Sequence, residues 1–276
     1  MQIPEKVLLC EPLFFDVMYE GNIYMKDLPL VDLEKAVLQW SSLKEKYEKL
    51  GFEIKIIPAV KNLTDMVFTA NQSFPFLNND NEKCVILSRM RNSQRKDEVE
   101  HFREFYINEG FKVFELSDSI KQFESMGDAL IDYKNERIFG GFGFRTDEKV
   151  YDELNDITGM GVTKLKLVSD KFYHLDTCFS ILGNNEVLIC ENGFDKASLK
   201  KIHDSFDKVY KVSEEENMKS FLCNCHCPDG KNIIVHKNDS SVFKNELSGN
   251  YIIIEIETSE FMKSGGSVFC MKMMLW

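Results

Sequence analysis

The sequence has 276 residues, 43% of them hydrophobic and 29% charged, which is enough apolar content to bury a globular core. Its 34 lysines and arginines are outnumbered by 45 aspartates and glutamates for a net charge of -11, which speaks against a nucleic-acid or anionic-membrane surface and favours a small cationic partner. No window reaches about 18 uninterrupted apolar residues, and Met1 to Glu20 lacks the basic start and apolar run of a secretory signal, so a cytoplasmic protein with reduced cysteines is expected.

The first β-rich run ends in CEPLFF, with no glycine-rich phosphate loop after it. Over Val31 to Leu50 the residues Leu33, Ala36, Val37, Trp40, Leu43, Tyr47 and Leu50 fall at helical spacing, Gly51 is a natural stop, and Phe52 to Pro58 reads as a strand. The same order recurs in Glu98 to Glu109 before FKVFEL, in Tyr151 to Thr158 before VTKLKLV, in Ser198 to Phe206 before KVYKVS, and in Val242 to Leu247 before YIIIEIE. Five helix-to-strand junctions thus fall near residues 51, 110, 160, 207 and 249, a period of roughly 40 to 60 residues that marks repeated supersecondary units.

Further strand-like runs, KCVILSR, ERIFGGFG, EVLICE, KNIIVHK and SVFCMKMML, supply about one for each unit. Five mixed units closing around an axis make a five-bladed α/β propeller, expected as a single domain over residues 1–276. A doubly wound open sheet also alternates helix and strand, but usually carries the phosphate loop missing here. Asn78 to Glu82 and Glu214 to Asn217 read as exposed turns.

Several residues carry chemistry. Cys270 follows Gly265 and Gly266 in SGGSVFC, where the backbone can turn sharply and approach a ligand. In FYHLDTCF a period of two puts His174 and Asp176 on one side of an extended strand, with Cys178 beside the same face. Asp65 and Asn71 bracket DMVFTAN, Glu124 and Asp128 bracket ESMGD, and Arg89, Arg91, Arg95 and Arg145 supply cations. The crowded Cys223, Cys225, His226 and Cys227 invite a zinc reading, but C-x-C-H-C alternates faces when extended and no second ligand pair completes the set. A buried strand carrying small cysteines is expected there, and no metal or other cofactor.

Taken in order, DMVFTAN, FESMGDAL, GFGFRTD, FYHLDTCF and SGGSVFC resemble the motifs of the guanidino-group-modifying enzymes, the pentein superfamily of arginine deiminases, dimethylarginine dimethylaminohydrolases, amidinotransferases and arginine dihydrolases. The resemblance covers nearly the whole chain and implies the five-bladed propeller. It also implies roles: Cys270 as nucleophile, His174 as general acid/base, and Glu124 as the carboxylate that orients the histidine or helps hold the guanidinium. Asp65 and Asp176 correspond to guanidinium-binding carboxylates, and Arg95 and Arg145 to a pair gripping the substrate's α-carboxylate.

Two departures stand out. The superfamily's usual EGGD is here Glu124-Ser125-Met126-Gly127-Asp128, one residue longer and one glycine poorer, so a bulge is expected between Glu124 and Asp128, the latter assigned by the resemblance to substrate binding. Asn71 stands where deiminases and methylarginine hydrolases usually place an aspartate. An amide can donate to the ureido oxygen of citrulline and hold it for a second attack, so the resemblance is closest to the arginine dihydrolases. Deiminase, methylarginine hydrolase, amidinotransferase and a catalytically inactive binding protein are the alternatives. The resemblance also implies an N-proximal loop, Phe14 to Tyr19, over the site. The expected partner is a small molecule, arginine or a modified arginine, with neither nucleic acid nor membrane, and homo-oligomerisation is left open.

Overall fold

Asp32 starts the first long helix by accepting a hydrogen bond from the Lys35 amide, and the apolar stripe predicted for it buries Ala36, Trp40, Leu43 and Tyr47 in α1 (Leu33–Lys49). In the computed structural model, which describes residues 2–276, this helix crosses from β1 (Lys6–Cys10) to β2 (Glu53–Ile57), laid parallel to it. Gly51, at φ 91°, makes the turn between them.

The next three units share one plan, an antiparallel hairpin followed by a helical crossover to a parallel strand. In the first, β3 (Ser73–Leu77) pairs with β4 (Lys83–Leu87), and α2 (Glu98–Asn108) leads to β5 (Lys112–Phe114). β6 (Ala129–Asp132), β7 (Arg137–Phe142), α3 (Val150–Thr158) and β8 (Gly161–Lys166) repeat it. So do β9 (Phe179–Ile181), β10 (Glu186–Ile189), α4 (Lys196–Ser205) and β11 (Lys208–Lys211).

After α5 (Glu214–Ser220), β12 (Asn232–His236) runs parallel to β13 (Ile252–Ile256), with an isolated antiparallel bridge from His226 to Ile234 in place of the hairpin's first strand. α6 (Ser259–Met262) follows, and β14 (Met273–Leu275) returns antiparallel to β1, so the two ends of the chain complete one sheet. Five small sheets result, a mixed α/β architecture.

Four expectations need correcting. Glu214 to Asn217 begins α5 rather than a turn, held by a reciprocal capping box between Ser213 and Glu216. The crossover at Val242–Glu246 is a π-helical turn. The cysteine-rich stretch is a 3-10 turn, Leu222–Asn224, followed by the single His226 bridge, not a strand. The final strand begins only at Met273, which leaves Cys270 in a turn.

Candidate active site

Each of the five sheets is entered through a tight turn, and the functional side chains sit on those turns. Asp65 lies in the 3-10 turn Thr64–Val67 ahead of β3, and Glu124 caps the turn Ser125–Gly127 ahead of β6. His174 caps Leu175–Thr177 ahead of β9, Asn224 ends Leu222–Asn224 ahead of β12, and Cys270 precedes β14. His174 and Asp176 therefore share a 3-10 turn, not the extended strand expected from a period of two.

Hydrogen bonds link these turns in a closed circuit. The Met126 amide donates to Ala70 O (3.0 Å), and the Leu175 amide donates to Asp128 Oδ1 (3.0 Å). Asn224 Nδ2 donates to Asp176 O (3.1 Å), the Phe269 amide to Asn224 O (2.9 Å), and the Ala70 amide to Cys270 O (3.1 Å). The extra residue of ESMGD is absorbed by Ser125, whose φ of 49° tightens the turn. Asp128 spends both oxygens inside this framework, on the Leu175 amide and on Thr146 Oγ1 (2.7 Å), and does not border the pocket where it was expected to bind substrate. Burial raises its pKa to about 6.

The pocket within the circuit is bordered by Asp65, Asn71, Arg95, Arg145, His174 and Cys270, and roofed by Tyr19, Asn22 and Met25. Six of the nine expected site residues thus face one space, and Glu124 and Asp176 lie directly behind it. Glu124 is fully buried: Oε2 meets His174 Nε2 at 2.8 Å and accepts from Arg145 at 2.9 Å, while Oε1 accepts the Arg91 amide at 3.0 Å. Burial alone would raise its pKa, but Arg145, His174 and Arg95 hold the carboxyl far below the ordinary range, so it stays an anion.

Cys270 is clamped from two sides. Its thiol donates to Asp176 Oδ2 at 3.1 Å, and Asn224 Nδ2 lies 3.1 Å from the sulfur. Asn224 Oδ1 accepts the amides of Ser267 (3.0 Å) and Cys270 (3.3 Å). Burial and the neighbouring Asp176 raise the thiol's pKa well above its ordinary value, and burial raises Asp176 to about 7. Among the described residues Asp176 Oδ1 is buried without a hydrogen-bond partner, and Lys272 is a cation close enough to offset part of the burial effect on this carboxyl. Gly266 turns the chain against Phe68, whose ring atom would lie 2.3 Å from any Cβ there. Gly266→Ala is expected to cost about 1–3 kcal/mol through that overlap, read as a lowered thermal midpoint.

Sequence reasoning missed Asn224. The signal was its place ahead of the fourth unit's strand, in the stretch where the other units carry Asp65, Glu124, His174 and Cys270. We expect Asn224→Ala to slow turnover about 10²-fold by letting Cys270 drift. It should also slow alkylation of Cys270, which a purely structural loss elsewhere in the fold would not do.

The arginines are anchored. Arg95 donates to Glu98 (3.1 Å), to Asn71 Oδ1 (2.9 Å) and to Asp65 O (3.2 Å). Arg145 bonds Glu124 and Gly21 O (2.6 Å) and lies over the Tyr173 ring, 4.9 Å from its centroid. Asp65 accepts from Tyr19 (2.6 Å) and Ser264 (3.1 Å). Arg89 and Arg91 serve the scaffold instead, donating to Leu116 O (2.5 Å) and Phe144 O (2.6 Å) respectively. Cys178, set by a period of two beside the face of His174, donates to Leu175 O (3.6 Å) and does not border the pocket. Among the described residues no group of three or more His, Cys, Asp or Glu could hold a metal, and no helix is long and apolar enough to cross a membrane.

Residues 21–276 match the family model described as N,N dimethylarginine dimethylhydrolase, eukaryotic. The chain belongs to this dimethylarginine dimethylhydrolase family. One relative, the bifunctional arginine dihydrolase/ornithine cyclodeaminase AgrE of Nostoc sp., is 29% identical over 96% of this chain, which spans 37% of that protein's length. The N(G),N(G)-dimethylarginine dimethylaminohydrolase of Mycobacterium tuberculosis is 28% identical over 94% of this chain and 82% of its own. Among solved structures, the N-terminal domain of the cyanobacterial arginine dihydrolase ArgZ, a cysteine-to-serine variant bound to substrate, superposes with a TM-score of 0.91 at 28% identity. That match covers 98% of this chain and 97% of the domain. These relatives act on guanidino groups, and the mixed α/β fold is shared with them.

Proposed function

We propose that this chain is an arginine dihydrolase, converting arginine to ornithine, carbon dioxide and two ammonia, and that residues 1–276 form one catalytic unit whose five sheets close as a five-bladed propeller. The closed circuit of turn-to-turn hydrogen bonds supports the closure.

The observation that carries the reaction is the orientation of Asn71. Arg95 has only donors, so the Asn71 atom 2.9 Å from it is the oxygen, and Nδ2 is left buried without a partner. That free N–H lies beside the pocket against Gly127, where a Cβ would stand 2.7 Å from it and 2.8 Å from His174 Nδ1. It supplies a donor for the carbonyl oxygen of a ureido group, next to the acid/base.

In the first half, the cationic guanidinium sits among Asp65, Asp176 and the thiol. The thiol proton passes to His174, the sulfur bonds the guanidino carbon, and the imidazolium returns the proton to the departing ammonia. Glu124, held anionic, stabilises the imidazolium. Water, deprotonated by His174, attacks the thiouronium and frees citrulline and the thiol. In the second half Cys270 attacks the ureido carbon, a second ammonia leaves, and water releases a carbamate that breaks down to ornithine and carbon dioxide. Arg95 and Arg145 at the pocket wall face the substrate's α-carboxylate, and Tyr19 on the N-proximal loop covers the entrance.

Product analysis with arginine tests this. Two ammonia per ornithine with no lasting citrulline is expected, whereas stoichiometric citrulline would leave a deiminase. The family match favours one second reading, methylarginine hydrolysis. Dimethylamine released from dimethylarginine far more efficiently than ammonia from arginine would establish it.

A further inference from the structure

Besides the catalytic pocket there is a larger cavity, of about 450 Å³, that shares none of its lining. Its rim is made by the turn between β6 and β7, the turn between β9 and β10, and the segment entering β12. Met126, Leu130, Leu182, Phe269 and Met274 give it an apolar wall below a polar rim, and its size suits a small organic molecule.

Two nitrogens face this space. Lys272 is 2% exposed, and its ammonium, 3.2 Å from the Phe269 ring centroid, has neither hydrogen bond nor ion pair among the described residues. Burial pulls its pKa down to about 7, opposed only in part by Asp176 and Cys270 on the catalytic side. His226 also lines the cavity. Its Nδ1 lies 2.8 Å from Tyr47 Oη, a buried hydroxyl with no other acceptor, so Tyr47 donates and His226 carries its proton on Nε2. Among the described residues that Nε2–H is unpaired as well. The rim carboxylates do not neutralise the lysine, because Asp132 is paired with Arg137 (2.9 Å) and Asp229 accepts the amides of Lys231 (2.9 Å) and Asn232 (2.8 Å).

We propose that this cavity is a second ligand site, for a small carboxylate with a hydrocarbon body, its carboxylate on Lys272 and His226 and its chain along the apolar walls. A buried ammonium with no direct hydrogen-bond acceptor is costly to keep, and a carboxylate supplies the missing acceptors.

Calorimetric titration with hexanoate and its neutral counterpart 1-hexanol tests the site. Saturable hexanoate binding is expected, much tighter than that of hexanol and undiminished by saturating arginine added to the Cys270→Ser variant. Lys272→Met should weaken it by roughly tenfold or more. Ile181→Trp, which fills the cavity from its half-buried wall and leaves the lysine in place, should abolish it and gives the same answer should Lys272→Met not fold. The proposal is overturned by the absence of saturable hexanoate binding, by unaltered affinity in either folded variant, or by displacement by arginine, which would put the carboxylate in the catalytic pocket.

Discussion

Arginine turnover by Cys270→Ala is expected to fall by at least ~10⁴-fold, with the fold intact and arginine still bound. No other thiol can substitute for it. Of the eight cysteines, only Cys270 borders the pocket, and Cys178, the nearest in sequence to the histidine, is buried and bonded to a carbonyl. Serine should be nearly as inactive, because a hydroxyl in this buried setting is a far weaker acid than a thiol already strained by Asp176. The check is twofold: single-turnover product formation by both variants, and mass labelling of the unmodified chain with a haloacetamidine. Loss of labelling in Cys270→Ala, with arginine protecting the native thiol, supports the nucleophile. A residual rate within about tenfold of the native chain would remove Cys270 from the mechanism.

Much of the fold was legible because its helices carry one-sided apolar stripes and stop at glycines, as α1 does at Gly51. The first strands of the hairpins were not. β3, β6 and β9 are short and buried on both faces, so they show no alternation, and they follow turns whose sequences read as loops. The capping box Ser213-x-x-Glu216 was visible and was read as charge in a turn, a local signal that outweighs charge density once the helix forms. At the site, Cys270, His174 and Glu124 were readable through their motifs. Asn224 sits in CNCHC, where the cysteines drew the eye to metal chemistry, and its task is to hold backbone amides, which no residue pattern announces. Asp128 has a positioning role rather than bordering the pocket as expected: its oxygens hold the Leu175 amide and Thr146, and so fix the histidine's turn.

Asn71→Asp should change what the chain makes. A carboxylate at this position would still accept from Arg95, so the hydrogen-bonded framework of Asp65, Arg95 and Glu98 survives and the first half-reaction proceeds. The unpaired Nδ2–H, however, is replaced by a lone-pair-bearing oxygen. Toward a guanidinium, all donors, this is harmless. Toward the ureido oxygen of citrulline it is repulsive, and a lost hydrogen bond of this kind slows the second half by about 10- to 100-fold. Citrulline should then leave before it is attacked, and the yield should fall from two ammonia per arginine toward one. The measurement is a time course of ammonia, citrulline and ornithine for both chains. Unchanged production of ornithine with two ammonia by the aspartate variant would mean that the amide does not retain the intermediate, and the proposed basis for the second hydrolysis would have to be sought among Asp65, Asp176 and the Asn224 clamp instead.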